Sequence, residues 1–286
     1  MKSVKLSELK GGEILSCPVL SKSKEVLIPE GIELKKEYID LLQRLEVETV
    51  SIIDTEATSR GLVLSDVKFD EYVKNIKRLL EKHTYTGKDN LVVTKDIAES
   101  LLHSIDEQLE NDDKQYEIYS HEADLYEHTL AVTIISTVIG RKLKLSDTEM
   151  RNLMHGAILH DLGIRYITVP YINIDLEKNG PAEVFEYKKH TILAYTVLEN
   201  EKWLSKEARN IILSHHEKMN GAGFPLKQKK QDIICRIVQF ADAYDCLISG
   251  MECVKRTKEN VDEHFAKRKG VEYDSKIMDV FYTWFK

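Results

Sequence analysis

The chain of 286 residues lacks several things, and each absence narrows what it can be. Its four cysteines, Cys17, Cys235, Cys246 and Cys253, are scattered without a C-x-x-C pair, so neither a disulfide framework nor a zinc ribbon is at hand. No apolar stretch nears the roughly 18 residues of a membrane span. The start, MKSVKLSELKGGE, has neither the apolar core nor the cleavage site of a secretion signal. The reading is a cytoplasmic protein with reduced cysteines and no membrane span. Positive charge is also in deficit. A formal net charge of −7 disfavours general nucleic-acid binding, which needs clustered Lys and Arg. A small phosphorylated ligand stays open, because bound cations invert the charge of an acidic pocket. There is no internal repeat or low-complexity tract. A composition of 42% hydrophobic and 31% charged residues is that of a globular chain of one or two domains.

What is present divides by texture. Short apolar runs, Glu13 to Leu20 and Val26 to Pro29, are broken by Gly11, Gly12, Pro18, Pro29 and Gly31, as in short strands joined by turns. Lys35 to Leu45 reads as a helix and Val47 to Ile53 as a strand, so residues 1–60 form a small α+β N-terminal module. From Asp66 onward the apolar spacing is helical, with Tyr72, Ile76, Leu79 and Leu80 and then Ile97, Leu101, Leu102, Ile105 and Leu109. Residues 61–115 read as a helical linker region that ends in the polar stretch Glu110 to Gln115. Residues 116–286 read as consecutive helices. The expected fold class is mainly α, a helical domain preceded by that small module.

In the helical part, Leu145-Ser146 with Glu149 and Met150 predicts a capped helix start. That helix carries Leu153, Ala157 and His160 along one side, and Gly163 reads as its C-terminal glycine. A second helix, with Ile211 and Ile212 buried, ends at His215 and His216. Asp124 stands one turn before His128, and Ala131, Ile135 and Val138 follow on the same stripe. Asp242 follows Ile234, Ile237 and Val238, where an unpaired carboxylate is costly. With His190, the set is Asp124, His128, His160, Asp161, His190, His215, His216 and Asp242, which holds five of the ten histidines. Any one of them alone reads more readily as a hydrogen-bonded core residue. Their joint pattern reads as a polynuclear metal site, since imidazole and carboxylate suit Fe, Mn or Zn. Two ions can clamp the attacking and leaving oxygens of a phosphoester, so phosphodiester hydrolysis is the leading chemistry.

The motifs LYEHTLAV, AILHDLG, YKKHTILA, SHHEKMNGAGFP and QFADAYDCLIS, in that order, resemble the HD-GYP family of the HD metallohydrolase superfamily, whose members cleave cyclic di-GMP. The likeness runs from Tyr119 to Ile248. A weaker one joins residues 1–60 to the small domain that often precedes that catalytic region. The resemblance implies two or three divalent ions, Fe or Mn before Zn. It places one ion with His128, His160 and Asp242 and another with His190, His215 and His216, with Asp161 bridging. The His160-Asp161 pair is the implied catalytic centre. Asp124 stands where three-metal members carry glutamate. Gly221, Gly223, Phe224 and Pro225 stand for the GYP loop, with glycines permitting close backbone approach and the ring placed to stack on a base.

The pattern also has gaps. The lysine of HDxGK is replaced by Ile164, and a basic DRPYR-like segment by Gly250 to Val254. Arg165, Lys255 and Arg256 are the expected substitutes for that charge. The resemblance implies hydrolysis of cyclic di-GMP to pGpG or GMP. The altered phosphate contacts leave two alternatives open: an HD-type phosphohydrolase of another nucleotide, and a catalytically degenerate nucleotide-binding signalling module. The N-terminal module is the expected surface for a homodimer or a protein partner.

Overall fold

The structure is a computed structural model that describes every residue except 1, 10, 22–25, 46, 48, 53–62, 87–90, 112–115, 117–119, 121–122, 173, 177 and 286. It separates into two compact units, Met1–Glu71 and Tyr72–Lys286. In the first, strand β1 (Lys2–Lys5) pairs antiparallel with β4 (Thr49–Ile52), setting Val4 opposite Val50. Strands β2 (Val19–Leu20) and β3 (Val26–Ile28) form a second antiparallel pair. Helix α1 (Lys36–Arg44) contributes Ile39 and Leu42 to a core with Leu6, Leu15, Leu34 and Val50. Of the strand expected over Val47 to Ile53, Glu48 and Ile53 lie outside the described residues.

Helix α2 (Asp66–Thr86) spans the division, and α3 (Val93–Asn111) follows it. The break expected at Glu110 to Gln115 falls largely outside the described residues, since helix is described through Asn111. The rest of the second unit is helical: α4 (Leu125–Lys142), α5 (Asp147–Leu159), α6 (Pro181–Lys188), α7 (His190–Leu198), α8 (Lys206–Ser214), α9 (Ile233–Ser249), α10 (Lys258–Ala266) and α11 (Ser275–Trp284). No described helix is long and apolar enough to cross a membrane.

Helix α4 is the axis of this unit. It is buried nearly all round and packs on α5 and α9, while α5 packs on α8. Its core threonines need acceptors, and they find them one turn back. Thr129, Thr133 and Thr137 each donate to the carbonyl four residues earlier at 2.7 Å. The start of α5 is the expected capping box, with Ser146 Oγ accepting from the Glu149 amide and Glu149 Oε2 accepting from the Ser146 amide at 2.8 Å.

Gly163 departs from its expected role. Helix α5 ends at Leu159 with His160 as its cap, and Gly163 lies inside a short 3-10 turn, Leu162–Tyr166, rather than at a left-handed stop. Its requirement is steric. A Cβ there would sit 1.8 Å from the His190 carbonyl oxygen, so glycine alone lets the turn after Asp161 close onto the start of α7. That contact brings two ligand-bearing segments together.

Candidate metal centre

The five histidines and two of the three acids converge where four helix ends meet the middle of α9. His128 lies in the first turns of α4, His160 caps α5, His190 opens α7 and His215 caps α8, while Asp242 projects from α9. His128, His160, His190 and His215 have no measurable exposure, and Asp161 and Asp242 have 1%. Each of these four rings is fixed from behind. The Nδ1 of His160, His190 and His215 meets the carbonyls of Ala157, Tyr187 and Ile212 at 2.7, 2.8 and 3.0 Å. A carbonyl only accepts, so each of these Nδ1 atoms carries a proton, and in the neutral ring each Nε2 presents a bare lone pair. His128 Nδ1 lies 2.7 Å from Asp245 Oδ2 and is held in the same sense.

The inward Nε2 atoms all face Asp161. Its Oδ2 lies 3.5 Å from His128 Nε2 and 3.3 Å from His160 Nε2, and its Oδ1 lies 3.6 Å from His190 Nε2 and 3.4 Å from His215 Nε2. Within each pair the two Nε2 atoms are 3.3 Å apart. Both Asp161 oxygens are buried and make no hydrogen bond of ordinary geometry among the described residues. Lone pairs pointed at one another and at an ionised carboxylate repel. Cations between them, one beside each carboxylate oxygen, would relieve that repulsion. Asp242 Oδ1 lies 3.3 Å from His128 Nε2, and Asp242 Oδ2 lies 3.3 Å from His216 Nδ1. Three close ligand groups result: Asp161 with His190, His215 and His216; His128 with His160 and Asp161; and His128 with Asp242 and Cys246. The donor set fits divalent metal ions.

Proton affinities follow the same division. Burial lowers His190 to about 4 and also lowers His215 and His216, which keeps them in the neutral form a metal requires. Burial also works against a charged His128 and His160, but the neighbouring carboxylates outweigh it: Asp161, Asp242 and Asp245 raise His128 well above its usual value, and Asp161 with Asp242 raises His160. Burial likewise opposes ionisation of Asp161, yet His160, His128 and His215 hold its carboxyl well below the ordinary range.

Asp124 stands apart from the three groups. It caps α4, its Oδ1 accepting from the Tyr126 and Glu127 amides at 2.9 and 3.0 Å. A cavity of about 300 Å³ opens beside the cluster, walled by His215, His216, Phe224, Lys188, Lys218 and Glu252 among others. A larger cavity of about 760 Å³, between α2 and α3, contains none of the cluster residues. Phe224 stacks on the His216 ring with centroids 4.6 Å apart, and Lys188 Nζ stands 5.2 Å from the Phe224 centroid. Gly223 lines the cavity too, but the close approach it permits is by the chain itself. A Cβ there would lie 2.4 Å from the His216 carbonyl oxygen. Gly221 and Pro225 flank this wall without lining it.

The cations on that wall are Lys188 and Lys218, not the three expected from sequence. Lys255 and Arg256 are exposed, and an Arg256 nitrogen meets His264 Nδ1 at 3.0 Å. Arg165 is half-buried, and its charge acts on the hydroxyls of Tyr126 and Tyr171. The turn after Asp161 buries Ile164 and leaves Arg165 half-buried outside the cavity lining, while the segment after α9 leaves Lys255 and Arg256 exposed.

A family model for the HD domain matches residues 113–277, more than half of the chain. The chain belongs to the HD-domain family. A Vibrio cholerae protein named "Probable cyclic di-GMP phosphodiesterase" is 33% identical over 48% of this chain and 33% of its own length. Another from the same organism, named as a 3'3'-cGAMP-specific phosphodiesterase, is 30% identical over 42% of this chain and 26% of its own. The chain therefore spans a third or less of these two relatives. Among solved structures, an HDG"Y"P protein from Bdellovibrio bacteriovorus matches with a TM-score of 0.60 at 18% identity, covering 98% of this chain and 97% of that one. That likeness speaks to the fold.

Four residues of this HD-domain site escape a reading of the sequence. Asp245 accepts from His128 Nδ1 and from the amide and hydroxyl of Ser120, each at 2.7 Å. Its place three residues after Asp242, on the same face of α9, is the available signal. Glu217, fully buried, accepts from the Leu226 and Gln228 amides at 2.5 and 2.8 Å and ties the glycine loop to the end of α8. Tyr187 and Glu252 carry no sequence signal, since only the fold brings them beside His216.

Proposed function

We propose that the chain is a metal-dependent phosphodiesterase of cyclic dinucleotides, with cyclic di-GMP as the first substrate and pGpG or GMP as product. One observation carries this reading: a buried Asp161 whose two oxygens each face a pair of imidazole Nε2 atoms. In it, His128, His160 and Asp242 would hold one divalent ion, His190, His215 and His216 the other, and Asp161 would serve both. Iron or manganese is the first choice and zinc the next. Asp124, whose Oδ1 caps α4, is the residue for a third ion. Bound ions supply Lewis acidity and an activated water for in-line attack on phosphorus.

The chain's own residues do the rest. The backbone carbonyls behind His160, His190 and His215 hold their protons away from the centre, so the ligand nitrogens need no reorganisation. Phe224 offers its ring and Lys188 an ammonium to a nucleotide in the cavity, which favours orientation of an anionic ligand. Lys188 makes no ion pair among the described residues, so its charge is available. Residues 116–286 constitute the catalytic region in this reading, 61–115 a helical linker, and 1–60 a module for self-association or a protein partner in the cytoplasm.

The relative named as specific for 3'3'-cGAMP supports a second substrate reading within the same chemistry. Metal-loaded protein assayed against cyclic di-GMP, 3'3'-cGAMP, cyclic di-AMP and linear dinucleotides, with products identified by mass spectrometry, separates the two. Cleavage of cyclic di-GMP at the highest kcat/KM is the expected result. Preference for 3'3'-cGAMP moves the substrate, and two bound ions without turnover on any of the panel overturn the enzymatic reading.

A further inference from the structure

Glu252 follows the left-handed cap of α9 at Gly250, φ 86°, and itself adopts φ 57°, a conformation that side-chain-bearing residues seldom take. The turn is held in place. Met251 bridges to Ile172 and its amide donates to Ser249 Oγ at 3.0 Å, while Cys253 Sγ donates to the Cys246 carbonyl at 3.0 Å. This conformation aims a carboxylate with 3% exposure into the centre. Glu252 Oε2 lies 3.2 Å from His216 Nε2 and accepts from the Tyr187 hydroxyl at 2.9 Å, and Oε1 is buried without a hydrogen-bond partner. Backbone strain and a desolvated carboxylate are both unfavourable, and they meet at one ring.

That ring is the odd one of the five. The other four histidines are fixed through Nδ1 and turn Nε2 inward. His216 has the opposite orientation. Its Nδ1 lies 3.3 Å from Asp242 Oδ2, its Nε2 faces Glu252, and Phe224 stacked on its face restrains rotation. The proton can sit on either nitrogen, and its place decides which one offers a lone pair to an ion. We propose that Glu252 is a positioning residue that accepts the Nε2 proton of His216 and so fixes the tautomer whose bare Nδ1 faces Asp242 and the adjoining ion. Tyr187 steadies the carboxylate by its second hydrogen bond. The inference rests on the metal-binding part of the reading above and is independent of the substrate.

The test is manganese titration of chelator-stripped protein by calorimetry, together with long-range proton–nitrogen NMR of the histidine rings. The His216 signal is assigned by its absence from His216→Gln. Wild-type protein is expected to show His216 protonated at Nε2. Glu252→Ala should weaken one of the two ions by about 10–100-fold, leave the other within about threefold, and melt as the wild-type apoprotein does. Glu252→Gln, whose amide oxygen still accepts from Nε2, should keep both ions within about threefold. Equal losses in the Gln and Ala variants overturn the proposal, as does wild-type affinity in Glu252→Ala. If Glu252→Ala does not fold, the wild-type tautomer decides, and a proton on Nδ1 overturns it. Wild-type protein that binds two ions but cleaves no nucleotide removes the proposed activity and leaves this inference standing.

Discussion

The inner and outer sides of the centre are built on different terms. On the inner side, His128, His160, His190, His215 and Asp161 are sealed from water, and each of the four rings has a partner behind it. On the outer side, Lys188, Lys218 and Phe224 come from the end of α6 and the loop after α8, and all three are half-exposed. Holding ions demands a few residue types in fixed geometry, and helix ends deliver that. Meeting a ligand demands groups left open to the cavity, as Lys188 and Phe224 are, whereas Lys218 is paired with Glu272 at 2.6 Å. Perturbing the inner side should therefore change ion content and stability, and perturbing the outer side should change only how a ligand is held.

The sharpest break in that contrast is Asp161→Ala. With the carboxylate gone, four inward Nε2 atoms converge on a void, and in the proposed arrangement both ions would lose their shared ligand. Elemental analysis should find fewer than two ions per chain, and hydrolysis should fall to background while helical content by circular dichroism is kept. Two retained ions with normal turnover would dismiss Asp161 as the bridge.

Asp245→Ala comes next. It strips the acceptor from His128 Nδ1 and from both donors of Ser120 in a fully buried place. Loss of such a partner behind a ligand histidine typically costs about 10–100-fold in metal affinity. Leaving those donors unsatisfied should also lower stability by about 2–5 kcal/mol. Asp245→Asn, which still accepts, should be milder on both counts. A manganese titration and a chemical denaturation curve for each variant read the two effects, and unchanged affinity in the Ala variant would detach Asp245 from the centre.

The legibility of the sequence follows the same contrast. His160-Asp161, His215-His216 and Asp242 stand out because paired or buried polar residues inside apolar helical spacing need a reason. The capping box at Ser146 is readable because it is local chemistry over four residues. Gly163 reads in sequence as a helix stop, yet its demand comes from a carbonyl 27 positions away at His190. Lys188, Lys218 and Glu252 are illegible for the same cause. Their position at the cavity depends on how α6, the loop after α8 and the turn after α9 come together in space, and no spacing rule in one segment reports that.

On the outer side, Lys188→Ala should lower kcat/KM about tenfold, equivalent to about 1.4 kcal/mol, through loss of one charge-assisted contact with a phosphate. Its ion content should remain that of the wild type. Arg165→Ala, Lys255→Ala and Arg256→Ala should each stay within about threefold, because none of the three lines the cavity. Steady-state kinetics on the four variants rank them. A larger loss in Arg165→Ala than in Lys188→Ala would place the ligand on the Tyr171 side of the cluster instead.

The smallest effect on the centre is expected from a buried imidazole that takes no part in it. His155 is 8% exposed, meets the Trp203 ring edge-on at 5.7 Å, and belongs to none of the ligand groups. Burial first, then Lys95 and Arg151, lower it to about 4. In the unfolded chain the same ring titrates near about 6.5, so between those values the unfolded state binds the extra proton. The stabilisation is thus fully present above about pH 6.5 and is lost as pH falls toward 4. Its ceiling is about 3 kcal/mol, reduced to about 1–2 by screening around the neighbouring cations. Denaturation of the apoprotein at pH 7.5 and 4.5 should show the difference between wild type and His155→Gln shrink by that amount on acidification. Ion content and turnover at neutral pH should match the wild type. An equal pH slope in the two proteins would mean that His155 stays protonated in the fold, and a lost ion would mean that the inner side reaches further than its ligands.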